Sequence, residues 1–185
     1  MKTRASILRT ARARHQLVVR TLSARSTSGV LQLGWQRVPC ALGRTGQRTR
    51  KREGDGASPI GAWPVTDAYF RADRLVRPRS PLALRRIGPT DGWCDAPADR
   101  NYNRPVTHPY PASAEHLWRA DGLYDIVIVL GYNMKPRIKG HGSAIFLHCC
   151  RAGYAPTEGC IAIKRAGLIR LLAQLTAKTW LKIGR

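Results

Sequence analysis

The sequence predicts a single domain that is mainly β with one or more helices, and three observations carry that reading. LYDIVIVLGYN, residues 123–133, is a β-branched run with the composition of a central strand buried on both faces. SAIFLHCC (143–150) and GCIAIK (159–164) are two further apolar runs of strand length. Only residues 166–177 repeat apolar side chains at helical spacing, which places Leu168, Ile169, Leu171, Leu172 and Leu175 on one face. At 185 residues the chain is long enough to bury a substantial core, and its 43% hydrophobic content is that of a globular protein.

The remaining elements follow in order. Residues 16–22 and 30–34 are short strands, and 37–42 is a third, in which Pro39 argues for an edge position. RTGQRTRKREGDGASPIG (44–61) is a glycine-rich charged loop leading into a strand, AWPVTDAYFR. Residues 77–111 are dense in Pro, Gly and Asn; a segment of that length implies an ordered, loop-rich wall rather than a plain linker. Residues 180–183 form a closing strand after the helix. No internal repeat or low-complexity segment interrupts the chain.

Charge sets the sign of the partner. Lys and Arg number 32 against 11 Asp and Glu, a net charge of +21, and the first acidic residue is Glu53. Such a surface favours nucleic acid, acidic lipid or a carboxylate-rich polymer. No zinc-finger spacing, RNP-like aromatic signature or helix-turn-helix is visible, so no specific nucleic-acid partner is expected. No apolar run approaches bilayer-spanning length, so no transmembrane segment is expected. The start, MKTRASILRTARARHQLVVR, is broken by Arg9, Arg12 and Arg14 and lacks the apolar core of a secretory signal.

Three of the five cysteines lie in IFLHCCRAGYAPTEGCIAIK, residues 145–164. Zinc would require paired ligands about two residues apart on a turn, whereas Cys149 and Cys150 are adjacent and point to opposite faces of a strand. No metal is therefore expected. Cys40 and Cys94 read as buried structural thiols. Cys160 follows Gly159 and opens an apolar strand, while His148 ends another. A return loop between them allows the two strand ends to meet, and the Cys160 backbone N–H is placed to serve as an oxyanion donor. Spacing alone leaves a catalytic pair and a structural one both open.

FLHCCRAGYAPTEGCIAI resembles the active-site segment of the L,D-transpeptidase (YkuD-type) catalytic domain family. In that family an apolar strand ends in His, and a loop leads to Ser/Thr-x-Gly-Cys and a further strand; here the matching positions are His148, Thr157, Gly159 and Cys160. Upstream, KREGDGASPIGAW resembles the family's strand entry, with Asp55, Ser58, Pro59 and Gly61 in place. GWCDAPADRNYNR and LYDIVIVLGYN are similar to a proteobacterial branch. The resemblance covers residues 16–185 and implies a catalytic domain there, preceded by a basic N-terminal extension over 1–15.

What the resemblance implies is peptidoglycan L,D-transpeptidation without cofactors. The Cys160 thiolate would attack the carbonyl joining the L-centre of diaminopimelate to D-alanine in a stem tetrapeptide, and the acyl group would pass to an amine. His148 would be the general base, oriented by the backbone carbonyl of Cys149, with Gly159 forming the turn that presents the sulfur. Thr157 would support the substrate rim, and Arg104 is a candidate contact for a substrate carboxylate. The implied location is the periplasm or cell envelope. Hydrolysis by the same fold, and a non-catalytic basic protein binding nucleic acid or wall polymer, are the alternatives. The sequence departs from the family at Glu158, where His is usual, and at residues 161–163, where no Arg or Asn follows the cysteine.

Overall fold

A computed structural model describes residues 16–184; the expected extension over 1–15 lies outside the described residues. The strands are β1 (Gln16–Arg20), β2 (Ser28–Leu33), β3 (Gln36–Ala41), β4 (Gln47–Arg48), β5 (Ser58–Pro59), β6 (Gly61–Phe70) and β7 (Leu84–Arg86). They continue as β8 (Asp91–Cys94), β9 (Arg104–Thr107), β10 (Ala114–His116), β11 (Ile126–Leu130), β12 (Phe146–Cys149), β13 (Ile161–Ile163) and β14 (Trp180–Ile183). One α-helix, α1 (Arg165–Leu172), lies between the last two.

The main sheet runs β11-β12-β13-β3-β2-β1-β14-β6, and β6 also pairs with β11, so the sheet closes on itself as a barrel with β7 added at its side. The length of β6 makes closure possible: its first half pairs with β14 and its second half with β11. Pro39 is tolerated in β3 because that strand meets β13 only at Ala41, leaving one side open at the proline.

Alternation along β11 divides the molecule into two cores. Ile126, Ile128 and Leu130 point into the barrel with Leu147, Cys149, Ile161 and Ile163. Val127 and Val129 point outward with Phe146 and Cys160, where they meet Trp93, Leu117, Leu123 and Tyr124. The continuous apolar run is thus a strand buried on both faces, as β-branched composition predicts. The outer core is roofed by a second, three-stranded sheet, β10-β8-β9. The proline- and glycine-rich segment 77–111 supplies two of those three strands, and is the ordered wall expected of it.

Helix α1 buries Leu168, Leu171 and Leu172 against the barrel interior, with Leu175 joining them just beyond its end. Ile169 corrects the expected face: it is 38% exposed, because it sits about 100° around the helix from Leu168. Among the described residues no helix is long and apolar enough to cross a membrane.

Candidate active site

Register brings the two chemical residues together. β12 and β13 are parallel, with Leu147 opposite Ile161 and His148 opposite Ala162. One step earlier Cys160 therefore lies beside Phe146, whose N–H donates to its Sγ at 3.3 Å. His148 is two residues along β12 from Phe146 and so shares its face. Both Cys160 and His148 line a cleft of about 430 Å³ between the barrel and the small sheet.

The Cys160 loop is clamped from three sides. Thr157 Oγ1 donates to the Cys160 carbonyl at 2.6 Å and accepts the Gly159 N–H at 3.1 Å. Ser58 Oγ donates to the same carbonyl at 3.4 Å while accepting the Gly43 N–H at 3.0 Å. Thr157 itself is tied by backbone bonds to Leu42 and Arg44. Gly159 has φ +133°, and a Cβ there would stand 2.7 Å from the Ala57 carbonyl oxygen, so only glycine fits the turn. The upstream motif therefore has a structural meaning: the turn around Asp55 and Ser58 is the seat on which the cysteine loop rests. Asp55 accepts from Lys51 Nζ at 2.6 Å and from the backbone N–H groups of Arg52 and Ala57. Partial burial would raise its carboxyl, but these donors outweigh it and hold it below the usual range.

His148 Nδ1 lies 2.8 Å from the Cys149 carbonyl oxygen. A carbonyl only accepts, so the proton is on Nδ1 and the neutral ring keeps its lone pair on Nε2. The Tyr124 ring packs edge-on against the imidazole at 5.2 Å. Burial pushes His148 down from 6.5 to about 4, and pushes the Cys160 thiol up to about 12, with the Glu115 carboxylate adding to the latter. The resting pair is a neutral thiol and a neutral imidazole. Consistently, Sγ donates to the Ala144 carbonyl at 3.1 Å. Cys149 is likewise pushed up by burial, to about 11, but faces the barrel interior where no substrate reaches.

The sequence pattern of the L,D-transpeptidase catalytic domain family (YkuD) matches residues 19–183. The chain belongs to that family. The crystal structure of Mycobacterium tuberculosis L,D-transpeptidase 1 is similar at 12% identity and a TM-score of 0.41, over 92% of this chain and 60% of that one. This L,D-transpeptidase domain thus spans about 60% of that protein's length. No curated protein matches it.

Of the residues singled out in sequence, His148, Thr157 and Cys160 line the cleft, and the Cys149 carbonyl and Gly159 are in contact with them. Arg104 is not among them: it is exposed on β9 and outside the cleft lining, where the guanidiniums are Arg119 and Arg151. Trp93 and Asn103 are buried and bonded to each other at 3.0 Å, part of a packed wall. Glu158 stands at the cleft's rim and pairs with Arg44, its side chain 78% exposed. Sequence reading missed Lys51, Asp95, Glu115, Arg119 and Tyr124, all of which line the cleft. Tyr124 opens the β-branched run and Lys51 opens the upstream motif, so both had a signal. Asp95 lies within GWCDAPADRNYNR, a stretch noted for its resemblance but not for a cleft position, and Glu115 had no signal, because it enters the cleft from the second sheet. Among the described residues, no group of three or more His, Cys, Asp or Glu side chains is placed to hold a metal ion.

Proposed function

We propose that the domain is a peptidoglycan L,D-transpeptidase acting through a thioacyl enzyme on Cys160, with residues 16–185 as the catalytic unit. The observation that carries this is the glycine-presented thiol sharing one cleft with an imidazole whose Nδ1 is anchored on the Cys149 carbonyl. Family membership supplies the reaction class.

In this reading the substrate carbonyl enters beside Sγ. As the S–C bond forms, the thiol proton passes to His148 Nε2, so thiolate character develops only during attack. The imidazolium then protonates the leaving amine as the C–N bond breaks, and the thioester remains. An acceptor amine attacks that carbonyl, returns a proton through His148 and releases the thiol. Thr157 and Ser58 hold the loop carrying the sulfur. Glu158 is peripheral. The acceptor is a stem-peptide amine, with hydrolysis as the competing fate; a specific nucleic acid has no part, and the location is the cell envelope. We place the chain in a proteobacterial branch on GWCDAPADRNYNR and LYDIVIVLGYN.

Intact mass after incubation with a carbapenem tests the nucleophile. One adduct is expected on the wild type and on Cys149→Ala and Cys150→Ala, and none on Cys160→Ala. An adduct that survives Cys160→Ala moves the nucleophile elsewhere.

A further inference from the structure

Of the cleft carboxylates, Glu158 pairs with Arg44 and Glu53 accepts from the Tyr102 and Ser143 hydroxyls, whereas Glu115 and Asp95 have no cation paired to them among the described residues. Glu115 on β10 stands opposite Trp93, Ala114 stands opposite Cys94, and the Asp95 N–H donates to the Ser113 carbonyl at 3.2 Å. Glu115 and Asp95 are therefore diagonal neighbours on one face of the small sheet, roughly 7–8 Å apart at the backbone. That separation lets both side chains reach a single small group lying between them. Both line the cleft together with Cys160 and His148.

The cleft's Lys51 and Arg119 are already engaged, with Asp55 and Asp121 respectively, and Arg151, the third cation of the lining, forms no ion pair with either carboxylate. Among the described residues neither Glu115 nor Asp95 enters an ion pair. Asp95 Oδ1 is buried without a hydrogen-bond partner, an arrangement that is costly unless something donates to it. Glu115 accepts one bond, from the Tyr124 hydroxyl. Burial pushes its carboxyl above the usual range, with the Tyr124 bond and Arg119 only partly opposing the rise. A carboxylate in that condition is short of positive charge.

We propose that Glu115 and Asp95 form a subsite for a primary ammonium group of the substrate, beside Cys160. It rests on the acyl-transfer reading above. An ammonium brings three donors: one meets Asp95 Oδ1, one meets a Glu115 oxygen, and one remains for the substrate itself or water. It also brings the charge that the two carboxylates lack. The group is a side-chain amine of the acyl donor or the amine of the incoming acceptor, which would pass one ammonium proton to the Glu115 carboxylate before its lone pair attacks the thioester; the two sources share the binding chemistry.

Two donor peptides ending in a diamino acid and D-alanine separate the cases, one with its side-chain amine free and one N-acetylated. The rate of thioacyl adduct formation is read by intact mass, and the free-to-acetylated ratio is taken within each protein. A donor ammonium predicts a wild-type ratio of about tenfold or more, the worth of charge-assisted hydrogen bonds, falling several-fold in Glu115→Gln and Asp95→Asn. An acceptor ammonium predicts instead a rise of about tenfold in the amine concentration giving half-maximal transfer from the preformed thioacyl enzyme in Glu115→Gln and in Asp95→Asn. A wild-type ratio near one, together with an unchanged half-maximal amine concentration in the variants, overturns the subsite. The wild-type ratio decides the donor case without any variant, and Glu115→Gln and Asp95→Asn are read independently for the acceptor case, so the failure of one variant to fold does not protect the proposal. Absence of any wild-type adduct would strike at Cys160 as nucleophile instead, so the two failures are distinct.

Discussion

Replacing Thr157 by Val tests how the reactive loop is held. The substitution keeps the branched shape and removes the hydroxyl, which donates to the Cys160 carbonyl at 2.6 Å and accepts the Gly159 N–H at 3.1 Å. The carbonyl retains Ser58 Oγ at 3.4 Å, whereas the buried Gly159 N–H loses its acceptor. An orphaned buried donor costs about 1–3 kcal/mol and the lost bond about 1 more, giving a destabilisation of roughly 2–4 kcal/mol. For a domain of this size that lowers the melting temperature by roughly 5–12 °C. The same loop carries the sulfur, and displacement of a reacting atom by about 1 Å costs on the order of 10²-fold in rate. Thr157→Val should therefore melt early and acylate slowly, while Thr157→Ser, which keeps the hydroxyl, should restore both. Calorimetry and carbapenem adduct formation followed by mass provide the measurements. A Thr157→Val protein melting within about 2 °C of the wild type and acylating at the wild-type rate would refute the clamp.

The buried imidazole gives a pH prediction with a defined sign. The folded His148 value, about 4, lies below the ordinary 6.5, so the unfolded chain takes up its proton first as pH falls. Its contribution to stability is complete above pH 6.5 and is lost between 6.5 and 4, about 3 kcal/mol in all. Urea unfolding across that window should show the loss in the wild type and a flatter profile in His148→Phe; identical slopes would count against a buried neutral imidazole. Glu158→Gln breaks only an exposed ion pair with Arg44, so stability should change by less than about 1 kcal/mol and acylation by less than about threefold. A rate collapse of about 10²-fold or more in Glu158→Gln would give Glu158 a part in orienting substrate or base.

The sequence by itself determined most of the barrel's strands and put forward His148 and Cys160 as a candidate pair. β-branched and apolar runs mark elements whose side chains are buried on both faces, and β11, β12 and β13 are such elements. That His148 and Cys160 share one cleft was legible because both sit at the ends of neighbouring runs, joined by a loop with a glycine at the turn. Ile169 shows the limit of reading a helical face by eye: a position one step from a buried leucine is already turned towards solvent. Arg104 shows another limit. Its charge and sequence neighbours suggested a substrate contact, but which face of a two-faced strand meets the cleft is fixed by pairing register, and β9 turns this residue outward.

Only the tertiary structure decided the electrostatics. The resemblance implies a Cys160 thiolate, yet packing the small sheet over Phe146, Tyr124 and Cys160 buries the thiol and His148, and burial favours the neutral form of each. Glu115 and Asp95 lie 45 and 65 residues from Cys160 along the chain, and although Asp95 falls within GWCDAPADRNYNR, no spacing places either beside the cysteine. They arrive there because the barrel's outer face needs a cover, and the β8–β10 register points both carboxylates into the cleft beneath it. Local periodicity specifies which faces are buried; which charged side chains meet across a cleft depends on contacts between elements distant in sequence, and those exist only after the two layers have packed.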